Sequence, residues 1–161
     1  MLRFENIIYT KLYNSASFTL FMKEIIVAAS GYFDPVHFGH IEYLKKAKAL
    51  GDKLIVIVNN AEQTILKKGF EFMPFKERME IVKALKYVDD VFPSIDTDKT
   101  VCKSLEKLKP NIFAKGGDRF SSEIPEAETC RKNNIKIVDG LGDKVQSSSD
   151  LVAKSKFFQK S

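Results

Sequence analysis

Glu24-Ile25-Ile26-Val27-Ala28-Ala29 runs without a break into Ser30-Gly31-Tyr32-Phe33-Asp34-Pro35-Val36-His37-Phe38-Gly39-His40, and this join decides the fold. A short apolar run of this kind reads as a buried strand, and the glycine-containing turn after it opens a helix with free backbone N–H groups. The dipole and the unpaired N–H groups of a helix start together favour an anion. Both histidines of the chain, His37 and His40, stand at that start. Imidazoles are donors that are charged or neutral near neutral pH. The stretch reads as a cradle for a triphosphate.

Outward from this join, strand-like and helix-like patterns alternate. Ile41, Leu44 and Ala47 recur at helical spacing, and Gly51 supplies a stop. Lys53 to Val58 is a second strand, and Thr64 to Phe72 is a lysine-bearing loop. Pro74 suits the first turn of a helix whose face carries Met79, Val82 and Leu85. Strands at Val88 to Phe92, Asn111 to Ala114 and Ile135 to Val138 alternate with helices at Thr100 to Leu108 and at 123–133. The expected fold is α/β, a Rossmann-like three-layer sandwich with a five-stranded parallel sheet. No Gly-x-Gly-x-x-Gly follows the first strand, so a dinucleotide coenzyme is not indicated.

Length and composition set limits. The chain has 161 residues, enough for one domain, read here as 22–161, with 1–21 as an N-terminal extension of unassigned role. That extension lacks the apolar core of a signal peptide, and no apolar run approaches the roughly 20 residues of a membrane span. The net charge of +5 fits anionic ligands, but the lysines are spread along the chain, which argues against a nucleic-acid partner. Cys102 and Cys130 lack metal-site spacing and read as reduced thiols of a cytoplasmic protein, with no protein-held metal expected.

Three more segments are expected to meet the histidines at the carboxyl ends of the strands, where open α/β sheets bind ligands. Lys67-Lys68 brings ammonium groups to phosphate oxygens. Lys115-Gly116-Gly117-Asp118 lets backbone approach a base or ribose, with Asp118 as an acceptor. Gln146-Ser147-Ser148-Ser149 opens the last helix with hydroxyls and N–H groups suited to the β- and γ-phosphates.

The ordered set Gly-Tyr-Phe-Asp-Pro-Val-His-Phe-Gly-His, Pro-Phe-Lys-Glu-Arg-Met, Lys-Tyr-Val-Asp-Asp-Val, Lys-Gly-Gly-Asp and Ser-Ser-Ser resembles the cytidylyltransferase-like nucleotidyltransferase family of the His-x-Gly-His type, from about residue 24 to 154. The family includes glycerol-3-phosphate cytidylyltransferase and the heptose 1-phosphate adenylyltransferase domain. The resemblance implies transfer of a nucleoside monophosphate, AMP ahead of CMP, from ATP or CTP to a phosphorylated small molecule such as a sugar or polyol phosphate. Pyrophosphate is released. It implies His37, His40 and Lys67 as catalytic residues and Arg78 on the acceptor substrate. Gly31, Tyr32, Phe33, Asp34, Gly39, Lys115, Gly116, Asp118, Ser147, Ser148 and Ser149 are implied on the nucleotide. Mg²⁺ is implied by the triphosphate, with Asp34 shaping the turn near it, and a homodimer is implied as the assembly.

Two departures bear on the substrate. Asn59-Asn60-Ala61 stands where glycerol-3-phosphate cytidylyltransferase carries an acidic residue after its second strand. Gly142 to Gln146 lacks the arginine that precedes that enzyme's hydroxyl run, leaving Lys144 as the nearest cation. The alternative readings are a noncatalytic nucleotide-binding protein and a nucleic-acid-binding protein.

Overall fold

The computed structural model describes residues 23–117, 124–141 and 147–158, with side chains as far as 154. The expectations for 1–21, for Asp118 and for Gly142 to Gln146 lie outside the described residues. Five strands, β1 (Ile26–Gly31), β2 (Lys53–Val58), β3 (Asp90–Pro93), β4 (Ile112–Ala114) and β5 (Lys136–Val138), form one sheet in the order β3-β2-β1-β4-β5. All pairs are parallel, and β1 lies at the centre, with Ala29 opposite Val56 of β2 on one side and Ala114 of β4 on the other. The Rossmann-like three-layer architecture is present as expected.

The alternation of side chains along a strand splits the core in two. Val27 and Ala29 of β1, with Leu54, Val56 and Val58 of β2, face a cluster completed by Tyr43, Leu44 and Ala47 of α1 (Phe38–Lys48) and Val82 of α3 (Phe75–Lys83). Ala28, Ile57 and Phe113 face the opposite cluster, with Leu105 of α4 (Cys102–Leu108) and Cys130 of α5 (Ala127–Lys132). Both sheet faces are covered, so the central strands β1 and β2 carry near-continuous apolar runs, Ile26 to Ala29 and Leu54 to Val58, as a buried parallel sheet requires.

Two local expectations are corrected. The segment from Thr64, read as loop, is helical as far as Lys68: α2 spans Ala61–Lys68. The Asn60 side chain accepts from the Gln63 N–H at 2.9 Å, and Gln63 Oε1 accepts from the Asn60 N–H at 3.1 Å, a reciprocal cap. Gly69 ends the helix at φ 82°, a left-handed conformation that costs glycine little. Pro74 sits just outside α3 as its N-cap rather than in the first turn. The last helix, α6, spans Ser148–Phe158.

Candidate active site

The turn after β1 is built around a buried aspartate. The Asp34 carboxylate accepts from the N–H groups of Phe72 and Met73, at 3.0 and 2.6 Å, and lies 3.8 Å from Lys68 Nζ. Lys68 Nζ donates to the Asp34 carbonyl at 2.6 Å. Phe33 takes a left-handed φ of 52° and buries its ring against the backbone of Gly31, where a Cβ would lie 2.9 Å from the ring. Only glycine fits at 31 without displacing that ring.

His37 caps α1 with an extended backbone, its carbonyl accepting from the His40 N–H at 2.9 Å. Its Nδ1 is buried without a hydrogen-bond partner among the described residues. His40 Nδ1 accepts from the His37 backbone N–H at 3.2 Å, which assigns the proton of the neutral ring to Nε2. The two rings stack with centroids 3.8 Å apart, and the Phe33 ring lies 4.8 Å from His40. Burial, reinforced by His37 and Lys68, pushes the His40 pKa down to about 3. Burial and Lys68 lower that of His37 as well. His40 is therefore a neutral donor, suited to stabilising charge on a phosphate rather than delivering a proton.

Beside this turn lies a cavity of about 300 Å³ lined by Asp34, Lys67, Lys68, Phe70, Ser148 and Ser149 among others. Ser148 Oγ donates to the Pro35 carbonyl at 2.9 Å, tying the start of α6 to the histidine turn. Ser147 Oγ accepts from the Asp150 N–H at 3.2 Å and acts as the helix cap. Lys67 holds its ammonium 4.4 Å from the centroid of the Tyr32 ring. The cavity thus gathers Asp34, Lys67, Ser148 and Ser149 of the expected set, with Ser147 capping the helix that supplies two of them, while His37 and His40 are not among its lining residues. Gly39 lies in the first turn of α1, and Gly116 lies against the ring of Tyr43, whose hydroxyl donates to the Ala114 carbonyl and accepts from the Ser30 N–H.

Arg78, expected at the substrate, is elsewhere. Its side chain is fully buried in α3 and donates to the carbonyls of Met73, Tyr32 and Asn59 at 3.0, 2.8 and 2.7 Å, and to Glu71 at 2.5 Å. A guanidinium occupied in this way positions the loops and cannot reach a ligand. Asp34 is likewise occupied, and no group of three metal-ligating side chains occurs among the described residues.

Glu126 was not singled out by the sequence. It is buried just before α5, its Oε1 accepts from the Val101 N–H at 3.2 Å, and its Oε2 stands 3.5 Å from Lys115 Nζ. A glutamate in a Pro-Glu-Ala step before a short helix carries no signal that would have revealed it. Cys130, close by, is a protonated thiol, its pKa pushed up to about 11 chiefly by burial.

The Cytidylyltransferase-like family model matches residues 28–152. An FAD synthase of Ferroglobus placidus is 38% identical over 115 residues, covering 71% of this chain and 72% of that protein. The bifunctional protein HldE of Coxiella burnetii is 36% identical over 133 residues, which are 81% of this chain and 28% of HldE, so the chain spans little more than a quarter of that relative. Among solved structures, the lipopolysaccharide core biosynthesis protein of Thermoplasma volcanium superposes with a TM-score of 0.64 at 32% identity, covering 74% of this chain and 98% of that one. With the family match running from β1 into α6 and taking in the histidine turn near its start, the chain is an enzyme of the cytidylyltransferase-like nucleotidyltransferase family.

Proposed function

We propose that the enzyme transfers AMP from ATP to a sugar or polyol phosphate and releases pyrophosphate. The observation that carries this reading is the bond from the His37 N–H to His40 Nδ1, which leaves a neutral N–H donor at His40 Nε2 in the same turn whose Asp34 lines a cavity with lysines and hydroxyls. An acceptor phosphate oxygen attacks the α-phosphorus in line; the new P–O bond forms as the α–β bridging bond breaks, and pyrophosphate leaves with the bridging oxygen. His40 and His37 face the charge that builds on the α-phosphate, the N–H groups of α1 and α6 with Ser148 and Ser149 receive the β- and γ-phosphates, and Lys67 meets the acceptor phosphate. The turn from Gly31 to Asp34, Gly39, Lys115, Gly116 and Asp118 lie on the nucleotide side of the same reading, and Ser147 holds the α6 cap. Mg²⁺ enters with the triphosphate and offsets its charge.

ATP is favoured over CTP because the name of the FAD synthase relative denotes an adenine-containing product. The same reading puts the enzyme in the cytoplasm; no helix among the described residues is long and apolar enough to cross a membrane. It also makes the enzyme a homodimer, which the exposed Ile65, Leu66 and Phe72 support and sedimentation at micromolar concentration tests. The deciding measurement is Mg²⁺-dependent pyrophosphate release with ATP, CTP, GTP and UTP, each against sugar, polyol and pantetheine phosphates. Release with ATP and a sugar or polyol phosphate is expected; release only with CTP, or only with pantetheine phosphate, would overturn the assignment.

A further inference from the structure

The cavity beside the histidine turn has a lining of two chemical kinds, and phosphate accounts for only one of them. Lys67, Lys68, Ser148 and Ser149 supply cations and hydroxyls, whereas Phe70, Val152 and Ala153 supply hydrocarbon. At about 300 Å³ the cavity is at the small end of the range for small-molecule sites, so a ligand that fills it meets both kinds.

The two kinds follow one another along the elements that carry them. In α6, Val152 follows Ser148 and Ala153 follows Ser149 by four residues, the spacing that puts side chains on one face of a helix one turn apart. The face that opens with hydroxyls therefore turns apolar about 6 Å further along. At the end of α2, Gly69 turns the chain at φ 82° after Lys67 and Lys68, and Phe70 still lines the same cavity, although 41% of the residue is exposed. Both walls are anchored to the same dipeptide. Ser148 Oγ donates to the Pro35 carbonyl at 2.9 Å and Lys68 Nζ to the Asp34 carbonyl at 2.6 Å. The Phe72 N–H donates to the Asp34 carboxylate at 3.0 Å, so the residues two before and two after Phe70 are both held by Asp34.

We propose that Phe70, with Val152 and Ala153, forms an apolar subsite for the acceptor's carbon skeleton, and that the enzyme selects a sugar or polyol phosphate carrying an apolar group close to its phosphate. This inference rests on the transfer reaction proposed above. In that reaction the lysines and hydroxyls take phosphate oxygens and the nucleoside lies with the turn from Gly31 to Asp34, so the hydrocarbon of this cavity is left to the acceptor. A fully hydroxylated skeleton would lose water from its hydroxyls against Phe70, Val152 and Ala153 without a polar side chain to replace it. The remaining polar side chain of the lining, Asp34, has its carboxylate taken by the N–H groups of Phe72 and Met73. An apolar group at the same place covers the exposed part of Phe70 and gains from burial.

The test is calorimetric binding of inorganic phosphate, glycerol 3-phosphate and propyl phosphate to the full chain, as wild type, Phe70→Ala and Phe70→Leu. Propyl phosphate is glycerol 3-phosphate without its two hydroxyls, so this pair of probes isolates the preference for hydrocarbon. The wild type should bind propyl phosphate about tenfold more tightly than glycerol 3-phosphate, the scale of two buried methylene groups. That ratio should fall towards one in Phe70→Ala and return in Phe70→Leu, while binding of inorganic phosphate changes less than about twofold in either variant. Thermal melts identify a variant that has lost its fold, and exposed Phe70 tolerates both substitutions. Equal or tighter binding of glycerol 3-phosphate by the wild type, a ratio that survives Phe70→Ala, a loss of inorganic phosphate in step with it, or no binding of any probe overturns the proposal. Pyrophosphate release is measured in parallel: a binding preference that follows Phe70 without turnover of any acceptor removes the transfer reading and leaves the apolar subsite standing, whereas turnover of a fully hydroxylated acceptor that is indifferent to both substitutions does the reverse.

Discussion

His40 Nδ1 accepts the backbone N–H of His37 at 3.2 Å while the two rings stack at 3.8 Å, so each histidine fixes the orientation of the other. Replacing His40 by alanine should lower turnover by about 10² to 10³, the scale for loss of one preorganised transition-state donor. Circular dichroism should show little loss of folded protein. Near-normal turnover in that variant would remove His40 from the mechanism.

The buried, neutral state of His40 has a pH consequence. Its pKa lies near 3 in the folded chain and near the ordinary 6.5 when unfolded, so between these values the unfolded chain binds a proton that the folded chain refuses. Stability therefore rises with pH across this window, is fully present above 6.5, and is lost as pH falls towards 3. Melting temperature against pH, compared with His40→Gln, should show a shallower acid slope in the variant. Turnover between pH 6 and 8 should carry no step due to His40.

Arg78→Ala should destabilise the fold by about 3–5 kcal/mol, because it leaves Glu71 and three loop carbonyls without their shared cation. For a chain of this size that is a fall in melting temperature of roughly 6–20 °C. An unfolded or strongly destabilised variant is the expected result; a stable variant with only a raised KM for the acceptor would restore Arg78 to the substrate.

Ser148→Ala removes the bond to the Pro35 carbonyl that joins α6 to the histidine turn. One such bond contributes about 1 kcal/mol, so the KM for the nucleoside triphosphate should rise about fivefold. Steady-state kinetics at saturating acceptor checks this. An unchanged KM would mean that α6 keeps its place without the serine.

The strands and their order of appearance were legible because apolar runs such as Lys53 to Val58 admit few alternatives when both faces of a sheet are covered. The histidine turn was legible because its residue types and spacing carry the chemistry themselves. Helix α2 is hidden in the sequence for a local reason: it is only eight residues long, and its start is marked by little more than the reciprocal cap between Asn60 and Gln63. Arg78 was misplaced for a non-local one. No local pattern announces that the carbonyls of Tyr32, Asn59 and Met73 converge on a single guanidinium, since they come from three separate stretches of chain. Glu126 was invisible for the same reason, as its neighbours Val101 and Lys115 belong to other elements.

Asp34 grips Phe72 and Met73 through its carboxylate, and Lys68 grips Asp34 in return through its carbonyl. The histidine turn and the stretch from Lys68 to Met73 are thus one structural unit. Because the donors to Asp34 are main-chain N–H groups, a turn grafted from a relative keeps these bonds only where the receiving stretch runs the same path, so exchanging turn and stretch together should preserve the fold better than exchanging either alone.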